Sequence, residues 1–198
     1  TNLGYALAKI SGIKLCEFLR IQYNFDAISL MPTNLYGPND NYHYQNSHVI
    51  ASLIRRFLIA KKQNISSVTC WGSGSPLREF MHVDDLAEAI VFALENWYPD
   101  SQDAPKDLAN NPLLHLNVGT GLEISINKLA EIIAKKTHFK GKIIWDRSKP
   151  DGTPRKLLDV SRFNNLGWKA KINLENGIQE TIDHLKNSNF ISNFSPDS

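Results

Sequence analysis

Short apolar runs alternate with longer amphipathic segments along this chain, and that rhythm limits the fold more than any other feature. Ala27–Met31, Val68–Trp71, Leu77–Met81, Leu114–Val118 and Lys142–Trp145 are brief, apolar and bounded by Pro, Gly or polar turns, which reads as buried strands. Between them lie segments with helical spacing. From Tyr5 to Tyr23 the residues Ala8, Ile10, Ile13, Leu15, Cys16 and Leu19 recur at three- and four-residue steps. Ser47–Lys61 gathers Val49, Ile50, Leu53, Ile54, Phe57 and Leu58 on one side. After His82, Asp85 followed by Glu88 matches a capping box opening the apolar face Leu86, Ile90, Val91 and Leu94. Ser125 is expected to cap a helix over Ile126–Lys136, and shorter helices follow near Val160–Leu166 and Leu174–Lys186. Pro32–Tyr44, Tyr98–Pro112 and Lys149–Lys156 read as loops, and the tail Ser188–Ser198 as a frayed end. Strands alternating with helices predict an α/β fold with a mainly parallel sheet.

Composition narrows the function classes. The 198 residues carry a net charge of +2 and are 42% hydrophobic and 21% charged, too apolar for disorder and too balanced for a general nucleic-acid footprint. No stretch approaches the roughly 18 apolar residues of a membrane helix. Two cysteines, Cys16 and Cys70, build neither a disulfide framework nor a four-ligand zinc site, so a reducing, cytoplasmic setting is expected. The opening residues lack a signal peptide's apolar core. His82, His115, His138 and His184 show no metal-ligand spacing, and no metal is expected.

Five stretches can carry chemistry, each with a plainer structural reading beside it. Tyr5 and Lys9 lie four apart, on one helix face. An ammonium beside a phenol favours the phenolate, so such a tyrosine can pass a proton to and from a carbonyl oxygen; a surface contact is the plain alternative. Pro32-Thr33-Asn34-Leu35 follows a strand that ends in a turn-rich loop, where ligands enter open parallel sheets, or where a loop simply turns. His48 precedes a helix whose dipole disfavours the cationic imidazole, which suits acid–base work as well as capping. Arg55, Arg56, Trp71 and Arg78 suit a diphosphate and a stacked base or sugar, or two exposed arginines and a core tryptophan. Asp151, between Lys149, Arg155 and Lys156 in a proline-stiffened loop, can grip a nucleotide or merely be solvated. No strand leads into a complete G-x-G-x-x-G: Gly72-x-Gly74 and Gly119-x-Gly121 both lack the third glycine.

In order, YALAKISGIKLCE, MPTNLYGPNDN, SHVIASLIRRF, WGSGSPLREFMHVDDLA, LNVGTG and SKPDGTPRKLLDVSR resemble the signatures of the GDP-L-fucose synthase family, extended short-chain dehydrogenases. The likeness runs from Tyr5 to about Leu185. It implies NADP(H)-dependent epimerisation and reduction of GDP-4-keto-6-deoxy-D-mannose to GDP-L-fucose. By the same resemblance Tyr5 is the proton donor to the carbonyl oxygen. Lys9 positions the cofactor ribose and tunes Tyr5, and His48 reprotonates carbon. Pro32, Thr33, Asn34 and Leu35, with His48, line the nicotinamide side. Arg56, Trp71, Arg78, Asp151 and Lys156 bind the GDP-sugar. The family's upstream glycine-rich loop, catalytic Ser and epimerisation Cys have no counterpart here, so the chain reads as a carboxyl-terminal portion, not expected to turn over alone.

The fold expected on this basis is a partial Rossmann-type parallel sheet, residues 1–45 and 81–118, with a smaller α/β substrate domain, residues 46–80 and 119–198. A homodimer is implied for the complete protein, and no nucleic acid or membrane partner. The alternatives are another sugar-nucleotide epimerase or dehydratase, and a catalytically inactive remnant that binds a GDP-sugar.

Overall fold

A computed structural model describes residues 2–188, so the tail beyond Ser188 lies outside the described residues. Each apolar run forms a strand: β1 (Ser29–Pro32), β3 (Ser67–Trp71), β4 (Leu77–His82), β5 (His115–Val118) and β7 (Lys142–Asp146). The helices are α1 (Leu3–Tyr23), α2 (Val49–Lys62), α3 (Val83–Asn96), α4 (Ile126–Thr137), α5 (Ser161–Asn165) and α6 (Leu174–Asn187). The class is α/β and the pairing mainly parallel. β1 runs parallel to β5, from Ser29 beside His115 to Pro32 beside Val118. β3 runs parallel to β7, from Ser67 beside Lys142 to Trp71 beside Asp146.

Three further strands are not expected from the sequence: β2 (Asn34–Tyr36) and β8 (Arg155–Lys156) fall in segments that read as loops, and β6 (Glu123–Ser125) in a stretch with no assignment that ends on the expected helix cap. All three are too short and polar to show apolar alternation. They exist because β4 offers them backbone partners. β2 pairs parallel to its Phe80–His82 stretch, β6 antiparallel to Leu77–Glu79, and β8 parallel to Leu77–Arg78.

β4 also stands between two apolar cores. Phe80 joins the first, where Leu53, Ile54 and Phe57 of α2 meet Leu129 and Ile133 of α4 and Ile178 and Ile182 of α6. Met81 joins the second, with Ala89, Ala93, Trp97, Leu116, Val118, Phe163 and Trp168. Successive strand residues point to opposite faces, so one strand serves both.

Helix starts follow the sequence in one case and depart from it in another. Ser125 caps α4 as expected, its hydroxyl accepting the Lys128 N–H at 3.1 Å. In α3 the cap is His82, whose Nδ1 accepts the Asp84 N–H at 3.3 Å. Asp85 therefore sits in the first turn, only 3% exposed, and its carboxylate accepts the N–H groups of Lys171 (3.1 Å) and Ile172 (3.0 Å). The buried stripe of α3 is Asp85, Ala89 and Ala93; Ile90, Val91 and Leu94, expected to be covered, are exposed, Leu94 by 65%. Small side chains let this helix lie close against its sheet, which moves the contact stripe off the larger residues.

α1 buries none of its residues fully, and Leu7, Ile10, Leu15, Phe18 and Ile21 are exposed. Its anchor is Arg20, which donates to Asp26 and Asp100, each at 2.6 Å. Contiguous apolar surface on this scale recruits partners. The isolated chain is therefore expected to enhance ANS fluorescence and to sediment as concentration-dependent oligomers; a monomer without ANS enhancement would contradict this reading of α1 and α3.

Candidate functional site

The site is built around β4. Arg78 and Phe80 project from one face of this strand and line a cavity of about 250 Å³ together with Asn34, Val49, Trp71, Gly74, Pro76, Ile126 and Asp151. A neighbouring cavity, also about 250 Å³, shares Asn34, Val49 and Phe80 and adds Leu35, His48 and Ile50. Six residues singled out in the sequence thus meet in one region: Asn34, Leu35, His48, Trp71, Arg78 and Asp151.

Each is placed by local chemistry. The chain leaves β1 at Pro32, opposite Val118, and joins the β4 sheet at Asn34, opposite Phe80. Thr33 is the pivot, its N–H donating to the Val118 carbonyl at 3.0 Å. Residues 32–35 therefore run from the carboxyl end of β1 to the carboxyl half of β4, the side on which open α/β sheets form ligand crevices. His48 is the N-cap of α2, and its side chain makes no capping bond, which leaves the imidazole available to the cavity it lines. Trp71 is 71% exposed rather than a core tryptophan, with the Lys149 ammonium 5.7 Å from the ring centroid. Arg78 steadies its guanidinium on its neighbour's carbonyl, donating to Leu77 O at 2.7 Å.

Asp151 is not a free carboxylate. It accepts the Ser73 N–H at 2.6 Å and the Ser73 hydroxyl at 2.7 Å, which clasps the 147–154 loop onto the β3–β4 turn. Those donors, the backbone N–H first, hold its carboxyl below the usual range. Gly72, at φ +80°, leaves the room: a side chain there would run into the carboxylate.

Other expected residues stand apart from the two cavities. Tyr5 and Lys9 are exposed on α1 and line neither; the ammonium lies over the phenol ring, 5.4 Å from its centroid. Arg56 donates to the Thr69 carbonyl on β3. Lys156 is exposed on β8, in register with Arg78. Thr33 spends its hydroxyl on the Glu79 carbonyl at 3.1 Å, and Pro32 lines neither cavity. Cys70 is buried in the first core, where desolvation pushes its thiol up and away from nucleophilic use.

Sequence reasoning passed over Glu79. It is fully buried, yet its carboxylate accepts the N–H groups of Thr120 (2.7 Å), Gly121 (2.8 Å) and Leu158 (3.0 Å). Its backbone carbonyl accepts from the Asn34 amide at 2.7 Å. Gly119 is required beside it, since a Cβ there would collide with the carboxylate. The one available signal was a carboxylate inside a short segment that reads as a buried strand.

A depressed carboxyl contributes to order above its ordinary value and loses that contribution as the pH falls through its folded value. The Asp151 clasp is therefore expected to persist at neutral pH and to open only below the ordinary value of 3.8. Asp151→Ala should open it at any pH, raising tryptic cleavage after Arg147 severalfold at neutral pH with little change in melting temperature; unchanged cleavage would contradict the clasp.

Similarity to known proteins assigns the family. Residues 1–108 match the model of the NAD dependent epimerase/dehydratase family. The chain is 53% identical over 181 residues to a probable GDP-L-fucose synthase 1 of Oryza sativa, covering 91% of this chain and 51% of that protein. It is 52% identical over 186 residues to the GDP-L-fucose synthase of Escherichia coli, covering 91% of this chain and 55% of that protein. Among solved structures, a GDP-L-fucose synthetase from Naegleria fowleri bound to NADP superposes with a TM-score of 0.81 at 26% identity, covering 97% of this chain and 58% of that one. The chain thus spans about half the length of the curated relatives it matches. On the family match and the shared fold, this chain belongs to the NAD dependent epimerase/dehydratase family.

Proposed function

We propose that this chain is the substrate-side portion of an NADP(H)-dependent enzyme that epimerises and reduces GDP-4-keto-6-deoxy-D-mannose to GDP-L-fucose. The observation that carries the reading is the meeting of Asn34, Trp71, Arg78 and Asp151 on one cavity, with His48 in the cavity adjoining it. An exposed indole offers a stacking face for a base or sugar, and a guanidinium offers paired donors to a diphosphate. Arg56, bonded to the Thr69 carbonyl, and Lys156, in register with Arg78, line neither cavity and are assigned to the GDP-sugar in this proposal by resemblance alone.

A ketone makes its neighbouring C–H bonds acidic, so one site can exchange those protons and later reduce the carbonyl. In this reading His48 returns a proton to carbon. Tyr5 donates one to the carbonyl oxygen, with Lys9 stabilising the phenolate it leaves. α1 would have to seat against the rest of the complete protein to bring Tyr5 over the ketone, which fits a helix with no fully buried residue. NADP(H), when bound, supplies hydride. The residues present suit its nicotinamide end: Pro32 closes β1, Asn34 and Leu35 pair beside the carboxyl half of β4, and the Asn34 side-chain oxygen is without a partner among the described residues. No pyrophosphate-binding glycine fingerprint occurs in the sequence.

The division into residues 1–45 with 81–118 and 46–80 with 119–198 belongs to the same proposal. In support, Leu30, Met81, Ala89 and Leu116 share the second core; against a clean division, Phe163 and Trp168 of the later part pack into that core, and Tyr36 and Tyr42 of the first part into the other. A homodimer through α1 is proposed for the complete protein, from that helix's exposed apolar face. A cytoplasmic setting is proposed from the two free cysteines.

Calorimetry tests the site directly. The chain should bind GDP, and Arg78→Ala should weaken it about 10- to 100-fold, as expected for a lost charge-assisted hydrogen bond. In the complete enzyme, His48→Asn should abolish solvent-deuterium incorporation at the carbons flanking the ketone; wild-type incorporation would remove His48 from the mechanism. GDP binding with no NADPH binding in the complete protein would favour the inactive-remnant alternative.

A further inference from the structure

We propose that Glu79 is a positioning residue for nucleotide binding, setting the 151–158 segment against Arg78 without touching the ligand itself. The inference rests on the reading of the Arg78 cavity as the site of a guanosine diphosphate.

Glu79 lies between two cavity-lining residues, and its own side chain points to the opposite face of β4. It is fully buried, so no nucleotide in the cavity contacts it. It nevertheless joins three parts of the site. Its carbonyl oxygen takes the Asn34 amide and the Thr33 hydroxyl. Carboxylate Oε1 takes the Thr120 and Gly121 N–H groups, and Oε2 takes that of Leu158. The 151–158 segment is consequently pinned at both ends, to Ser73 through Asp151 and to Glu79 through Leu158. Between the pins, β8 pairs with β4 so that Lys156 falls opposite Arg78, and parallel register partners project to the same face.

A carboxylate is required because both oxygens must accept. In Glu79→Gln one oxygen becomes an N–H₂ donor facing an N–H. The amide orientation that keeps the Thr120 and Gly121 bonds preserves two hydrogen bonds against one, so the break falls at Leu158. That frees one end of the segment holding Asp151 and Lys156 while β4 keeps its other partners.

The experiment compares GDP affinity by calorimetry in wild type, Glu79→Gln and Asp85→Asn. Asp85 is a matched control: a buried carboxylate that accepts two backbone N–H groups and lines neither cavity. Glu79→Gln is expected to weaken GDP about tenfold. Asp85→Asn is expected to lower the melting temperature comparably while leaving the dissociation constant within about twofold. Equal affinity in Glu79→Gln and wild type, or equal weakening by both variants, would overturn the proposal. Should Glu79→Gln not fold, amide exchange on the wild type decides: saturating GDP should slow exchange at Leu158, Thr120 and Gly121, and unchanged exchange there would overturn it. Failure of the wild type to bind GDP would instead overturn the reading of the cavity, and this inference with it.

Discussion

A buried carboxylate that accepts backbone N–H groups from two distant segments is the constraint on which the rest of this structure depends. Removing Glu79 from water is costly unless its oxygens are satisfied, and backbone donors satisfy them. The bonds reach the turn after β5 and the segment leading to α5, both far from Glu79 in sequence. Asp85, six residues on, applies the same device to Lys171 and Ile172, just before α6. The two carboxylates anchor most of the later chain to a single strand–helix unit. Polar anchors of this kind suit a protein whose two apolar cores meet along one strand, because hydrophobic contact is non-directional whereas a hydrogen bond selects its partner.

The cavity follows from that arrangement. β4 presents Arg78 and Phe80 to it, β2 brings Asn34 beside Phe80, and β8 brings the Asp151 loop across the top. Polar groups along these walls are largely committed already: Asn34 to a carbonyl, Asp151 to Ser73, Arg78 to a neighbouring carbonyl. Such commitments fix side-chain positions before a ligand arrives, which lowers the ordering cost of binding. His48 differs. It holds a helix N-terminus without using its imidazole to cap, which suits the proton exchange proposed for it.

Much of the architecture was legible in one dimension, because buried strands and amphipathic helices carry their own periodicity. Ala27–Met31 and Leu114–Val118 announced β1 and β5 within two residues, and Ser125 announced its helix through a hydroxyl at the right distance from a backbone donor. Legibility failed where a tertiary partner makes the decision. β2, β6 and β8 have no apolar pattern and become strands only because β4 lies alongside. The Asp85–Glu88 spacing imitates a cap, yet His82 occupies that position and Asp85 answers to residues more than eighty positions away. Trp71 reads equally well as core or surface until its neighbours are known.

What the residues determine unaided is local: the period of each segment, the turns, the placing of a tyrosine and a lysine on one helix face, and an ordered series of motifs that points to the family. Only the folded chain decides which of those groups share a cavity, that the Asp151 loop closes on Ser73, and that Glu79 ties the walls together. The reason is physical. Periodicity records the interaction of a segment with water and with itself. A hydrogen bond between residues 79 and 158 leaves no periodic trace, since its two ends meet only after both cores have formed.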